Sequence, residues 1–297
     1  MGSEMCIRDR YTADPSAHVW ADGRLYVYAS HDIAPPRGCD LMDRYHVFST
    51  DDMVHWTDHG EILNSSQVPW GRKEGGFMWA PDCAYKNGTY YFYFPHPSET
   101  NWDNSWKIGV ATSCRPAEGF EVKGYIEGMD PLIDPCVFVD DNGQAYIYNG
   151  GGGICKGGKL KDNMMELDGL MQPMEGLEDF HEATWVHKYN GKYYMLSSGC
   201  TGWDPNIAEI AVADSIMGTW KTIGNPCTGP DADKTFYAQS TYVQPVVGKK
   251  NAYIAMFDRW KKKDLEDSRY VWLPVLVKDG KITIPWHEKW NLSIFDK

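Results

Sequence analysis

The chain has 297 residues, of which 42% are hydrophobic, so it is long enough to bury a substantial core. Its formal net charge of -12 argues against nucleic acid or an anionic membrane as a partner, because both favour a basic surface. The sequence contains no run of eighteen apolar residues, which argues against a transmembrane helix.

Residues 1–10 precede the first repeated pattern and match neither a strand nor the apolar core of a signal peptide. We therefore expect a non-native or disordered leader at 1–10 and one folded domain at 11–297. The eight cysteines show neither metal-type nor compact disulfide spacing, so we expect reduced cysteines packed in strands or loops. The nine histidines likewise lack metal-ligand spacing.

One short pattern recurs five times along the chain, with a polar or aromatic residue nine positions before a turn glycine. The five residues are Asp14, Trp79, Asp134, Glu182 and Gln239, and the glycines are Gly23, Gly88, Gly143, Gly191 and Gly248. Asp-Gly or Asn-Gly forms the first four turns and supplies the positive φ angles of a tight hairpin. Because turn chemistry fixes register, we expect all five residues near the starts of their strands.

The repeats are spaced by 48 to 65 residues, which is typical of four-stranded propeller blades. Five blades arranged radially bring the starts of their first strands to one axis. The sequence therefore predicts an all-β fold, a five-bladed β-propeller, in which Asp14, Asp134 and Glu182 share one pocket.

Aromatic residues mark the closing segments of three of these units. Trp56, Phe120 and Trp220 each lie four residues before a glycine. In the first unit, residues 25–29 and 45–49 predict the second and third strands, and residues 51–60 close the blade. We expect the three aromatic side chains to pack between neighbouring blades.

Three carboxylates in one partly dry pocket suit the hydrolysis of a glycosidic bond. One carboxylic acid protonates the leaving oxygen, while a second carboxylate activates water or attacks directly. Neighbouring acids move each other's pKa values apart, so that one stays protonated at neutral pH while another is ionised. Taken alone, Asp14 or Asp134 before a proline is typical of a turn or cap residue. Their shared register with Glu182 favours the functional interpretation.

These motifs resemble glycoside hydrolase family 43 over about residues 11–297, and most strongly over 77–198, where the β-xylosidase and α-L-arabinofuranosidase branch is similar. The resemblance implies a five-bladed propeller that cleaves plant cell-wall linkages with inversion. It also implies that Asp14 is the general base, that Asp134 tunes the acid and orients the substrate, and that Glu182 is the general acid. Inversion requires the two catalytic carboxyls to lie ~6.5–9.5 Å apart. Trp79 resembles the segment that walls the sugar pocket.

The C-terminal part of the chain resembles a different branch of that family. Many members carry a channel-facing histidine, often near a metal ion, where this chain has Gln239. Similarity to the exo-β-1,3-galactanase and galactan-acting branches is carried by segments 198–203, 239–241, 257–260 and 268–274.

Four further residues are candidate substrate contacts with structural alternatives. Trp203 is a sugar-stacking candidate, and His181 stands beside the expected acid. Arg259 either contacts a substrate hydroxyl or pairs with an acid, and Trp79 either walls the pocket or packs in the core. Gln239 is either a ligand group or a hydrogen-bonding plug between blades.

Together these features predict an inverting, exo-acting glycoside hydrolase that removes terminal β-xylose or α-L-arabinofuranose from plant cell-wall polysaccharides or oligosaccharides. An exo-β-1,3-galactanase or another galactan-acting hydrolase is the alternative. A non-catalytic carbohydrate-binding propeller and a scaffold for protein partners are two further alternatives, and the presence of all three carboxylates argues against both. We expect no required cofactor, although the resemblance implies that a structural calcium ion could occupy the central channel.

Overall fold

The computed structural model describes residues 4–5, 11–33, 38–98, 105–129, 133–151, 154–177, 181–278 and 281–296. Strands form five sheets within these ranges, four with four strands and one with six. The helical segments are short: α1 (Gly38–Leu41) and single 3-10 segments at Ser65–Gln67, Ala232–Tyr237, Leu265–Asp267 and Leu292–Phe295. No helix of the described part is both long and apolar enough to cross a membrane.

Each of the first four blades is an antiparallel meander of four consecutive strands. A two-residue strand, β1 (Glu4–Met5), precedes them. Blade 1 contains β2 (Thr12–Val19), β3 (Leu25–His31), β4 (Arg44–Thr50) and β5 (Thr57–Asn64); blade 2 contains β6 (Asp82–Lys86), β7 (Thr89–Pro97), β8 (Trp106–Ser113) and β9 (Glu121–Tyr125). Blade 3 contains β10 (Ile133–Val139), β11 (Ala145–Gly150), β12 (Lys156–Lys159) and β13 (Gln172–Pro173); blade 4 contains β14 (His181–Tyr189), β15 (Lys192–Gly199), β16 (Ala208–Ala213) and β17 (Lys221–Gly224).

Blade 5 combines segments from both ends of the described chain. Its strands are β18 (Cys227–Thr228), β19 (Gln239–Pro245), β20 (Tyr253–Arg259), β21 (Arg269–Lys278) and β22 (Lys281–Pro285). The sheet order is β18-β22-β21-β20-β19, with β1 also pairing with β21. The segment that precedes blade 1 therefore belongs to the sheet of blade 5, and blades 1 and 5 also pack against each other.

The first strands of the blades contact one another in a closed ring. β2 meets β6, β6 meets β10, β10 meets β14, β14 meets β19, and β19 returns to β2. Five strands around one axis confirm the five-bladed propeller predicted from the repeat.

An apolar cluster fills each of the five spaces between neighbouring blades. Phe120 is buried between blades 1 and 2, and Trp220 is buried between blades 3 and 4. Trp56 of blade 1 packs against Trp272 of blade 5, with ring centroids 6.1 Å apart. The expected packing of these aromatics between blades is confirmed. Full burial of one side chain of the size of Phe contributes about 1.5–3 kcal/mol to folding.

The glycine turns form where the sequence predicts them. Asn190 and Gly191 have φ angles of 49° and 75°, as a two-residue type I′ turn requires. Tyr189 and Lys192 pair directly across this turn, which fixes the register of β14 and β15. The Asn87-Gly88 turn has the same form. The turns at Asp22-Gly23 and Asn142-Gly143 differ from the prediction: only the glycine has a positive φ, and the loops are longer, with the N–H of Gly23 bonded to Trp20 and that of Gly143 to Asp140.

Two features of the chain differ from the sequence-based expectation. The first is β1, a strand within the leader segment, where no strand was predicted. It pairs with β21, because the backbone edge of β21 can bind a short extended segment whatever the side chains of that segment. The rest of that leader lies outside the described residues. Trp79 lies three residues before β6, since Pro81 has no backbone N–H to donate and pairing begins only at Asp82.

Four cysteines follow the sequence-based expectation. Cys83 and Cys136 are buried in β6 and β10, and Cys155 and Cys227 are buried as well. Burial raises the pKa of each of these thiols, so they are packing groups rather than nucleophiles.

Candidate active site

Asp14, Asp134 and Glu182 lie near the starts of the first strands of blades 1, 3 and 4, where each strand is bulged. The irregular steps fall at Ala13/Ser16, Ile133/Cys136 and Glu182/Trp185. Asp14 and Asp134 have φ angles of 52° and 53°, and Ala183, next to Glu182, has 50°. This left-handed conformation costs a non-glycine residue roughly 1–2 kcal/mol. A bulge of this kind redirects a side chain, and bulges are common beside active sites.

A pocket opens at the axis and receives residues from all five blades. Its lining is Asp14, Pro15, Ser16, Ala80, Pro81, Asp82, Asp134, Pro135, Ala183, Thr184, Trp203, Thr241 and Tyr242. Glu182 directly precedes Ala183 of this lining and is 5% exposed. The ring of blades thus brings together three carboxyl groups that lie far apart in the chain.

Asp14 is a buried carboxyl with donors and further acids around it. Ser30 donates its hydroxyl to Oδ2 of Asp14 over 3.2 Å, and the backbone N–H of Ala80 also donates to the carboxylate. Burial, followed by the negative charges of Asp258 and Asp134, raises the pKa of Asp14 well above its ordinary value. Once ionised, such a carboxylate is a strong proton acceptor.

Glu182 and Asp134 form a pair of buried carboxyls with different pKa values. Burial and the charge of Asp134 raise the pKa of Glu182 to about 8. Burial raises the pKa of Asp134 to about 6, while the backbone N–H of Ala183 donates to its Oδ2 over 3.1 Å and favours the ionised form. Near pH 7, a carboxylic acid able to donate a proton therefore lies beside a mostly ionised carboxylate.

Gln239 begins β19 and connects blade 5 to blade 4 beside Glu182. Its Nε2 lies 3.3 Å from Oε1 of Glu182 and 3.3 Å from Oγ1 of Thr201. These contacts support the hydrogen-bonding role between blades. A glutamine places no titrating group beside Glu182, in contrast to a histidine.

Of the aromatic candidates, Trp203 belongs to the described lining of the pocket and Trp79 does not. Trp203 belongs to the lining and packs against Trp260, with ring centroids 5.9 Å apart. Trp79 is half-buried and donates its indole N–H to the carbonyl of Cys39 over 2.7 Å. The wall of the pocket next to Trp79 is formed by Ala80 and Pro81.

His181 and Arg259 are directed toward other partners. His181 is buried, and its Nδ1 lies 2.8 Å from Oγ of Ser197 in the neighbouring strand. Arg259 donates Nη2 to the carbonyl of Phe236 over 2.8 Å. Neither residue is among the described residues that line the pocket.

Sequence reasoning did not identify Ser30 and Asp258, which both contact Asp14. Ser30 lies opposite Ala13 in blade 1, and Asp258 lies opposite Gln239 in blade 5. The hairpin register contained the necessary signal, because a residue opposite a strand start lies at the same height along the axis.

The described side chains near the axis do not form a carboxylate cluster of the kind that holds calcium. Calcium takes six to eight oxygen ligands, several of them carboxylates. In the described ranges, no group of three or more His, Cys, Asp or Glu side chains is arranged to hold a metal. Gln239, at the position of the family's channel histidine, directs its amide nitrogen to Glu182. We therefore derive no step through a metal.

The sequence profile of glycosyl hydrolases family 43 matches residues 6–255. The chain belongs to this family. As a member of family 43 it is an inverting glycoside hydrolase, as the sequence predicted. A xylosidase/arabinosidase from Humicola insolens is 37% identical, with 65% of this chain and 73% of that protein covered. A β-xylosidase from Xylanibacter ruminicola is 31% identical, with 80% and 81% covered.

Solved structures from two branches of family 43 are similar to this chain. A β-1,3-galactosidase bound to galactodeoxynojirimycin has a TM-score of 0.84 and 27% identity, with 95% of this chain and 96% of that chain covered. A β-xylosidase/α-arabinofuranosidase from a compost microbial metagenome, in complex with xylotriose and in a calcium-free form, has a TM-score of 0.77 and 28% identity, with 96% and 98% covered. The propeller fold and the enzyme class predicted from the sequence are both confirmed.

Proposed function

We propose that this family 43 enzyme removes terminal β-xylose or α-L-arabinofuranose from plant cell-wall polysaccharides or oligosaccharides. The observation that carries the reaction is Glu182, a buried acid with a pKa of about 8 beside the pocket that contains Asp14 and Asp134. The names of the xylosidase/arabinosidase relatives support the choice of sugar.

In the proposed mechanism, Glu182 gives its proton to the departing glycosidic oxygen as the bond to the anomeric carbon breaks. Asp14 accepts a proton from the water that attacks that carbon from the opposite face, so the configuration inverts. The charge of Asp134 keeps Glu182 protonated, and its bond to the N–H of Ala183 holds the start of β14. Trp203 offers an aromatic surface for the sugar at the pocket wall.

A galactan-acting hydrolase is the second candidate. The β-1,3-galactosidase structure has a higher TM-score than the β-xylosidase/α-arabinofuranosidase structure, 0.84 against 0.77. Gln239 also matches the galactan-acting branch in sequence. This candidate uses the same three carboxylates, so only the terminal sugar differs.

The test is hydrolysis of nitrophenyl β-xyloside, α-L-arabinofuranoside and β-galactoside, together with xylo- and β-1,3-galacto-oligosaccharides, with inversion checked by NMR of the released sugar. We expect turnover of the pentosides. Asp14→Asn should lower turnover at least ~100-fold on every substrate. Glu182→Gln should lower it by a similar factor on oligosaccharides and by less on nitrophenyl substrates, because nitrophenol leaves without a proton.

Turnover confined to the galactosides would select the second candidate. Equal losses for Glu182→Gln on both leaving groups would contradict its role as general acid. A folded protein that hydrolyses none of these substrates would argue for a carbohydrate-binding propeller.

A further inference from the structure

Asp258 holds the backbone of Asp14 across the junction where the ring of blades closes. Asp258 lies in β20 of blade 5 and is 2% exposed. Its Oδ2 accepts the backbone N–H of Asp14 over 3.0 Å. Asp14 has the left-handed φ of 52° and lies in the bulge of β2, so this bond stabilises a strained backbone at the pocket.

The same arrangement occurs at two other blade junctions. Asp82 of blade 2 accepts the N–H of Val137 of blade 3 over 2.7 Å. Asp134 of blade 3 accepts the N–H of Ala183 of blade 4 over 3.1 Å. At the junction of blades 5 and 1, the residue held in this way is itself a carboxyl of the pocket.

The surroundings of Asp258 are acidic and buried. Asp14 and Asp32 are the neighbouring carboxyls, and Asp32, itself 2% exposed, is raised in pKa by burial and then by the charges of Asp258 and Asp14. Tyr270, opposite Asp258 in β21, bonds through its hydroxyl to Oγ1 of Thr12 over 2.7 Å. Burial raises the pKa of Asp258 to about 7, so it carries a substantial negative charge above neutral pH.

We propose that Asp258 is a positioning residue for Asp14, whose backbone N–H it holds in the bulge of β2. The negative charge of Asp258 acts in addition on the protonation of Asp14. This inference rests on the role of Asp14 proposed above. Two physical effects contribute. Loss of the acceptor leaves a buried N–H unsatisfied, and displacement of a catalytic group by about 1 Å can cost ~100-fold in rate. Loss of the charge removes one of the causes that raise the pKa of Asp14.

Asp258→Asn and Asp258→Ala separate these two effects. The amide oxygen of asparagine can still accept the N–H of Asp14 but carries no charge, whereas alanine removes both. We expect Asp258→Asn to keep kcat within about tenfold of wild type and to shift the acid limb of the pH profile of kcat/KM to lower pH. We expect Asp258→Ala to lose up to ~100-fold in kcat with little change in KM.

A titration of the Asp14 carboxyl by carbon-13 NMR, without substrate, supplies a readout that does not depend on turnover. The signal is assigned by its loss in Asp14→Asn. In Asp258→Asn it should titrate at lower pH than in wild type. Asp140→Asn is the control, because Asp140 is a buried carboxylate that accepts a backbone N–H, from Asp141, but does not belong to the described lining of the pocket.

The inference is overturned if Asp258→Asn leaves the titration of Asp14 unchanged, or if it loses as much kcat as Asp258→Ala while remaining folded. A titration shift of the same size in Asp140→Asn would also overturn it. If the wild-type enzyme hydrolyses none of the sugars, the proposed function fails, and the NMR titration still decides whether Asp258 acts on Asp14.

Discussion

At the scale of single residues, buried acids whose ionisation opposes folding lie in and beside the pocket. Burial is the largest cause of the raised pKa values of Asp14, Asp134, Glu182 and Asp258. A carboxyl that is harder to ionise in the folded state than in the unfolded state lowers stability as the pH rises. The groups best suited to acid and base chemistry here are therefore also those that cost stability at neutral pH.

Glu182→Gln tests this cost, because glutamine keeps the shape of the side chain but cannot ionise. The pKa of Glu182 rises from 4.5 to about 8 on folding. The wild-type protein should therefore match the variant below pH 4.5 and lose stability relative to it as the pH rises toward 8. Each pKa unit corresponds to about 1.4 kcal/mol, so at pH 8 we expect the variant to be more stable by about 4 kcal/mol, measured by calorimetry at pH 4 and pH 8.

The matched control is Glu127→Gln, since Glu127 is exposed. Its effect on the melting temperature should be small, because substitutions at exposed positions usually change stability little. A melting temperature for Glu182→Gln that stays at or below wild type at pH 8, with equality at pH 4, would contradict the argument.

At the scale of the element, hairpins set the height of the carboxyls and neighbouring blades set their direction. β11 ends at Gly150, which lies against the start of β14. A Cβ atom at Gly150 would lie 2.3 Å from the carbonyl oxygen of His181 and 3.1 Å from Cα of Glu182. Because both atoms are backbone, they can give way only if β14 moves. Glycine at 150 therefore helps to define the position of Glu182.

Gly150→Ala should consequently move Glu182 and lower kcat by about 10- to 100-fold. The control is Gly143→Ala in the turn of the same hairpin, where φ is 82° and nothing lies within 4 Å of the added Cβ. That variant should lose roughly 1–2 kcal/mol of stability from left-handed strain and keep the kcat of the folded enzyme. Steady-state kinetics and thermal unfolding measure both quantities. Wild-type kcat in Gly150→Ala would show that the contact does not position Glu182.

At the scale of the whole molecule, stability depends on closing the ring. The apolar cluster between blades 5 and 1 contains Trp290, which is buried and donates its indole N–H to the carbonyl of Trp272 over 2.9 Å. Each blade shares one cluster with the blade on either side. Opening one junction therefore exposes the apolar cluster between two blades and destabilises both of them. Because each of these blades packs against a further neighbour, we expect the remaining blades to be destabilised as well.

Trp290→Ala should cost about 3–5 kcal/mol, the usual range for removing a buried large aromatic side chain. Because the clusters form a ring, hydrogen exchange in mild denaturant should increase together in peptides from blade 3 and from blades 1 and 5. Ile223→Ala, at an exposed position, is the control and should change neither. Increased exchange confined to blades 1 and 5 would show that the ring opens locally.

Local chemistry explains what could be predicted from the sequence. Asn-Gly and Asp-Gly turns, strand alternation and the repeat spacing are properties of short segments, so they identified the propeller and the strand starts at Asp14, Asp134 and Glu182. The family resemblance, confirmed by the profile match, added the enzyme class. Trp79 differs from the expected position near a strand start, because Pro81 has no backbone N–H to donate and β6 begins only at Asp82.

By itself, the sequence determined the fold, the family and the three carboxyls, because turn geometry and register act over a few residues. Only the tertiary structure decided which groups surround each carboxyl. Asp258 and Asp14 lie 244 positions apart and meet only when blade 5 closes on blade 1. The burial that raises the pKa values, the direction of His181 and the close approach of Gly150 to β14 likewise depend on packing between blades, which no local pattern contains.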